Sequence, residues 1–155
     1  NGSYSKLGWS LSRLQRINND AQVWFVLTGQ QAHKNLDSSE KFSLGGPTSV
    51  RAYPTGEASG DEGYRGTLEL RQSLAANVQG SVFYDFGSVK INKTPFAATP
   101  NSKHLAGAGF GATAAWDKLQ VKASLAWRTS GGIPVSIPKS AVKSPTLWLQ
   151  AGVEF

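Results

Sequence analysis

Cysteine and methionine are both missing from the 155-residue chain. The first absence removes disulfides and thiolate chemistry without fixing the compartment. The second means that Asn1 is not a natural start, so the chain is expected to be a piece of a longer protein, with no signal peptide to look for. A long apolar run is missing too: nothing nears the roughly 18 residues of a transmembrane helix. That excludes helical spans only, because the strands of a membrane barrel alternate and leave a much weaker hydropathy signal. Histidine is scarce, and His33 and His104 fall at expected strand–loop junctions with neither a carboxylate–serine arrangement nor metal-ligand spacing. Gly107, Gly109 and Gly111 form G-x-G-x-G, but no helix follows as a dinucleotide fingerprint requires. The charge is basic, 16 Lys+Arg against 10 Asp+Glu, yet no Lys/Arg block with interleaved aromatics marks a nucleic-acid surface. The expectation is therefore no cofactor, no metal, no nucleic acid and no enzyme.

What the chain has is glycine, aromatics and alternation. Gly 17, Trp 5, Tyr 4 and Phe 7 suit an outer-membrane barrel, although soluble β-proteins share that composition. Seven stretches alternate with period two, at residues 4–17, 22–31, 64–74, 78–89, 105–116, 119–129 and 146–155. The clearest sets Leu119, Val121, Ala123, Leu125 and Trp127 against Gln120, Lys122, Ser124, Ala126 and Arg128. The connections run short, long, short, long, short, long. All short turns therefore lie at one end of an up-and-down meander and all long loops at the other, the arrangement of a bacterial outer-membrane barrel. The polarity agrees. Glu69, Arg71, Lys122 and Arg128 fall on the faces opposite the leucines and large aromatics, which is inside out for a soluble β-sandwich. Trp9, Tyr84, Trp127 and Phe155 fall near strand ends, where an aromatic girdle belongs. The fold class is all-β, a transmembrane antiparallel barrel. Seven strands cannot close in lipid, so further strands are expected before Asn1.

The longest connection, residues 32–62, contains the segment on which the chain is organised, FSLGGPTSVRAYPTGEASGDEG at residues 42–63. It is too rich in Gly and Pro for a strand, and a connection of this length is rare without a job. Val50, Ala52 and Tyr53 flank Arg51. Such a cluster fits a loop folded back onto something, with Arg51 at its apex. Asp85 shares the polar face of its strand with Gln79 and Ser81, so its carboxylate faces the interior and suits a planar, permanently charged arginine. The competing reading gives Asp85 to Arg71 or Lys122. Glu57 and Asp61 read as solvated loop carboxylates.

These motifs carry a resemblance. FSLGGPTSVRAYPTGEASGDEG resembles the sixth-loop motif of the TpsB transporters of two-partner secretion, in the Omp85 superfamily. GSVFYDFGSV, with Phe83, Asp85 and Gly87 as F-x-D-x-G, resembles the next barrel motif of that superfamily, and WLQAGVEF resembles its closing strand. The resemblance implies an N-terminal helix, two POTRA domains and a sixteen-stranded barrel, of which this chain is the last seven strands. The implied loop motif comprises Gly45, Gly46, Val50, Arg51, Ala52, Tyr53, Pro54, Gly60, Asp61 and Gly63, with Arg51 reaching down the lumen to Asp85. Phe155 would be the C-terminal assembly signal. Where the family commonly has R-G-Y or R-G-F, this chain has Ala52, a small change unless the position needs positive φ. The implied partners are a secreted TpsA-type exoprotein, outer-membrane lipids and the barrel assembly machinery. The alternatives are an Omp85-type assembly factor and a passive porin.

Overall fold

The structure, a computed structural model, describes residues 4–154; the expectation for Phe155 lies outside them. Nine strands follow one another: β1 (Lys6–Arg16), β2 (Ala21–Ala32), β3 (Phe42–Leu44), β4 (Ala58–Gly60), β5 (Glu62–Ala75), β6 (Val78–Lys90), β7 (Ser102–Trp116), β8 (Leu119–Ser130) and β9 (Thr146–Val153). Seven form one antiparallel sheet in the order β1-β2-β5-β6-β7-β8-β9, a meander broken only by the long connection. That connection, expected to hold no strand, pairs β3 with β4 as a small separate sheet. Three residues on each side suffice, because the pair needs only to bring the two arms of the loop together.

The short turns are built from local chemistry. Asn18 Oδ1 accepts hydrogen bonds from the backbone N–H groups of Asp20 and Ala21 at 2.9 and 2.8 Å, a side chain imitating a backbone turn. Asp117 holds the β7–β8 turn at φ 49°, a left-handed conformation that Asp tolerates better than most residues. With these turns at one end, the loops after β2, β6 and β8 gather at the other.

The register sorts every side chain to a face, since opposed residues point the same way. One row runs Val26, Thr67, Asp85, Gly107, Arg128; the next runs Trp24, Glu69, Phe83, Gly109, Ala126, Thr146. This face, called inner below, is covered by the long connection. Leu44, Val50, Ala52 and Tyr53 of that connection pack with Phe83, Val89, Leu105 and Ala126 of the sheet into the apolar core. The opposite face exposes Leu68, Leu70, Val82, Phe110, Leu125 and Leu149, with Phe110 60% exposed. Buried charges opposite an exposed apolar wall are the reverse of a water-soluble sheet. Among the described residues no helix is long and apolar enough to cross a membrane, which says nothing of strands.

Candidate functional site: the infolded loop and its anchors

The tip of the loop begins at Gly45 and Gly46, whose φ values of 97° and 101° lie where a Cβ is penalised. They turn the chain so that the Gly46 N–H donates to the Tyr53 carbonyl at 2.9 Å, closing the tip on itself. Within it, Ser49 to Tyr53 are all buried. Ala52 is not among the residues at positive φ, so its methyl group is unstrained. That methyl lies against Gly107 of β7, and a Cβ on Gly107 would collide with it. Gly107 thus leaves room for the loop, whereas a Cβ on Gly109 or Gly111 would meet Phe83 or Ser81 of the neighbouring strand. Gly87 likewise leaves room beneath Leu44, while Gly60 and Gly63 pass close to the backbone of residues 88–90.

Arg51 is spread over two carboxylates. Its Nε and backbone N–H donate to Asp85 Oδ2 at 2.8 and 3.1 Å, and its Nη2 donates to Asp85 Oδ1 at 3.0 Å. Its Nη1 donates to Glu69 Oε2 at 2.9 Å. The guanidinium carbon stands 3.3 Å from the Phe83 ring centroid, a cation–π contact. Asp85 is fully buried and also accepts from Thr67 Oγ1 at 2.8 Å. The pairing of Asp85 with Arg71 or Lys122 is not observed. Arg71 donates instead to Glu69 Oε1 at 2.7 Å and stacks over Trp24. Glu69 is therefore a bridge between two arginines, and it is the partner that a motif search does not show.

The backbone beside Arg51 is held from the opposite side. Trp148 Nε1 of β9 donates to the Arg51 carbonyl at 2.7 Å, and Thr146 Oγ1 donates to the Ala52 carbonyl at 3.0 Å. The Tyr53 hydroxyl reaches the carbonyls of Ser130 and Gly132 at 2.8 and 2.9 Å, one proton serving two acceptors. Pro54 is half-buried, and its carbonyl accepts from the Glu57 N–H. Trp148 and Thr146 could have been found from the alternation of β9, which puts them opposite its leucines.

Glu57 and Asp61 correct the sequence reading: both are buried, at 5% and 0% exposure. Glu57 accepts from Lys103 Nζ at 2.6 Å and from the N–H groups of Val135 and Ser136. Asp61 accepts from Lys41 Nζ at 2.7 Å and from the N–H groups of Leu36 and Lys93. Burial pushes both carboxyls up, but these donors outweigh it and hold each below its ordinary range. The sequence hides this because, apart from Lys103 at the start of β7, their donors come from loop residues with no periodic pattern. His33 and His104 are exposed, and the described residues hold no His/Cys/Asp/Glu group that would bind a metal.

Residues 1–114 match the family of haemolysin secretion/activation proteins ShlB/FhaC/HecB. The chain belongs to that family. It is 41% identical over 71 residues to the heme/hemopexin transporter protein HuxB of Haemophilus influenzae, from strain KW20 Rd and equally from strain 86-028NP. That match covers 43% of this chain and 13% of HuxB, so the chain spans a small part of the relatives it matches. Among solved structures, CdiB from Acinetobacter baumannii aligns with a TM-score of 0.66 over 94% of this chain and 25% of CdiB, at 23% identity. That likeness shows the fold: a stretch of a TpsB-type barrel.

Proposed function

We infer that the complete protein is an outer-membrane translocator that exports an unfolded partner exoprotein, and that the infolded loop gates its path. The work is transport, not bond chemistry. The observation that carries this reading is the Arg51 clamp. A loop of a ShlB/FhaC/HecB-family chain enters the inner face and is pinned there by a buried ion pair. A passive porin has no need of such a pin. HuxB is named for heme/hemopexin transport, and a secreted protein is the cargo class proposed here. The remainder of the reading is a sixteen-stranded barrel with N-terminal POTRA domains, inserted among outer-membrane lipids by the barrel assembly machinery. Without ATP outside the cell, folding of the exported chain at the surface supplies the pull.

The test uses the full-length protein carrying Arg51→Ala, Asp85→Ala or both. Secretion is assayed in cells and conductance in planar bilayers. Each single change is expected to impair secretion and raise conductance, and the double change to do little more than either, because both remove one tether. A pore indifferent to Arg51 favours the porin. Intact secretion with loss of other outer-membrane proteins favours the assembly factor.

A further inference from the structure

Beyond Glu69, toward the short turns, the inner face changes character. The next row in register runs Arg16, Gln22, Arg71, Ser81, Gly111, Ser124. The row after it runs Ser73, Gln79, Thr113, Lys122, Gln150. Gln120 follows, facing Ala115 and Gly152. No Asp or Glu points inward from the described strands in these rows. The two inner-face carboxylates, Glu69 and Asp85, are consumed by the Arg51 clamp and its Arg71 and Thr67 neighbours.

What remains is one sign of charge on a carpet of hydrogen-bonding groups. Among the described residues Arg16 and Lys122 are the cations left over, since Arg71 is paired with Glu69. Gln22, Gln79, Gln120 and Gln150 each bring an amide with donors and an acceptor. Among the described residues, neither Lys122 nor any of these four amides has a side-chain hydrogen bond or ion pair. Several of these groups share one open cavity of about 210 Å³, whose wall includes Arg51, Arg71, Gln79, Thr113, Gln120 and Lys122. The clamp therefore forms one wall of the space that these free groups line.

We propose that this half of the inner face is a docking surface for the exported polypeptide, selective for extended segments that carry Asp or Glu and exclude runs of Lys or Arg. Extended backbone exposes carbonyl and N–H groups, which glutamine side chains can meet without any fixed sequence. The cations give the surface its sign preference, because a polar lumen with low-dielectric walls focuses charge. The proposal rests on the conduit reading and adds to it the chemistry of the occupant.

The test uses two unfolded probe peptides of equal length, one of Glu, Ser and Gly, the other of Lys, Ser and Gly. Each is added to full-length protein in planar bilayers, in wild type and in Arg51→Ala, and block of conductance is titrated. The acidic peptide is expected to block at about a tenfold lower concentration than the basic one. Lys122→Glu with Arg16→Glu, both at exposed positions, is expected to abolish or invert that preference. Lys139→Glu with Lys143→Glu, an equal charge change in the outer loop after β8, is expected to leave it intact. Circular dichroism in detergent confirms that each variant is folded. Equal block by both peptides, or a preference untouched by the double reversal, overturns the docking surface while leaving the conduit standing. Absence of conductance from wild type and Arg51→Ala alike overturns the conduit and this proposal with it.

Discussion

Asp85 takes three hydrogen bonds from Arg51, and Glu69 takes one. The two carboxylates are therefore not equal anchors. Asp85→Asn is expected to destabilise the docked loop by about 3–5 kcal/mol, the cost of breaking a desolvated pair from one side. Glu69→Gln should cost about 1.5–3 kcal/mol, one charge-assisted hydrogen bond. Hydrogen exchange at the amides of Val50 to Tyr53 measures both, and the reverse order would contradict the assignment of Asp85 as principal anchor. Arg51→Lys should fail to rescue, because a point charge cannot reach both carboxylates or stack on Phe83 in the same way. Glu57 and Asp61 give the loop a pH dependence. Their carboxyls are lowered in the folded state, so their stabilisation is complete above the unfolded values near about 4. It is lost as pH falls from there through the folded values. Loop exchange should accelerate in that acid window, and Glu57→Gln should flatten the response. At this scale the sequence showed the Arg51–Asp85 pair, because the motif and the strand parity both pointed to it. It hid Glu69 as a partner, since only the β5–β6 register sets that side chain one row from Asp85. It hid the burial of Glu57 and Asp61, whose donors, Lys103 of β7 apart, lie in aperiodic loops.

The long connection behaves as an element in its own right, because five of the sheet's strands, β5 to β9, hold its tip. β6 grips the Arg51 side chain, β9 grips the carbonyls of Arg51 and Ala52, and β7 offers the flat Gly107 site. Gly107→Ala should overpack this contact and loosen the loop by about 1–3 kcal/mol. Adding Ala52→Gly should recover part of that loss. Recovery will be partial because the new methyl also faces the Trp127 carbonyl at 2.9 Å. No recovery at all, read by the same exchange, would mean that the loop does not rest on β7. The period-two pattern made the seven long strands legible to within a few residues. It could not show β3 and β4, which are three residues each and too short to alternate visibly.

At the level of the molecule, the decisive property is which face meets water. Exposed Leu125 and Phe110 and buried Ser124 and Glu69 assign the apolar face to lipid. Leu125→Lys should cost about 2–4 kcal/mol if that position lies near the bilayer midplane. Thr113→Lys, on the inner face, should cost little. Folding of the full-length protein into lipid vesicles under urea titration separates the two, and equal costs would contradict the assignment. This inversion was legible early, because Glu69, Arg71, Lys122 and Arg128 lie opposite the leucines of β5 and β8; the aromatics sort less cleanly, with Trp24, Phe83 and Trp148 turned inward. The count of strands in the whole barrel was not legible from periodicity; it came from resemblance alone.

The central claim is that the loop is tucked against the inner wall by Arg51. Since this chain brings no cysteine of its own, Ser49→Cys in a full-length protein otherwise cleared of cysteine gives a single reporter two residues from Arg51, at a site that is 5% exposed. Its labelling by a bulky, membrane-impermeant thiol reagent at the cell surface is the direct measurement. The account predicts slow labelling that accelerates sharply, and to a similar extent, with Arg51→Ala, Asp85→Ala or both. Fast labelling at Ser49→Cys with Arg51 intact, matching a cysteine placed at the exposed Phe96, would contradict it.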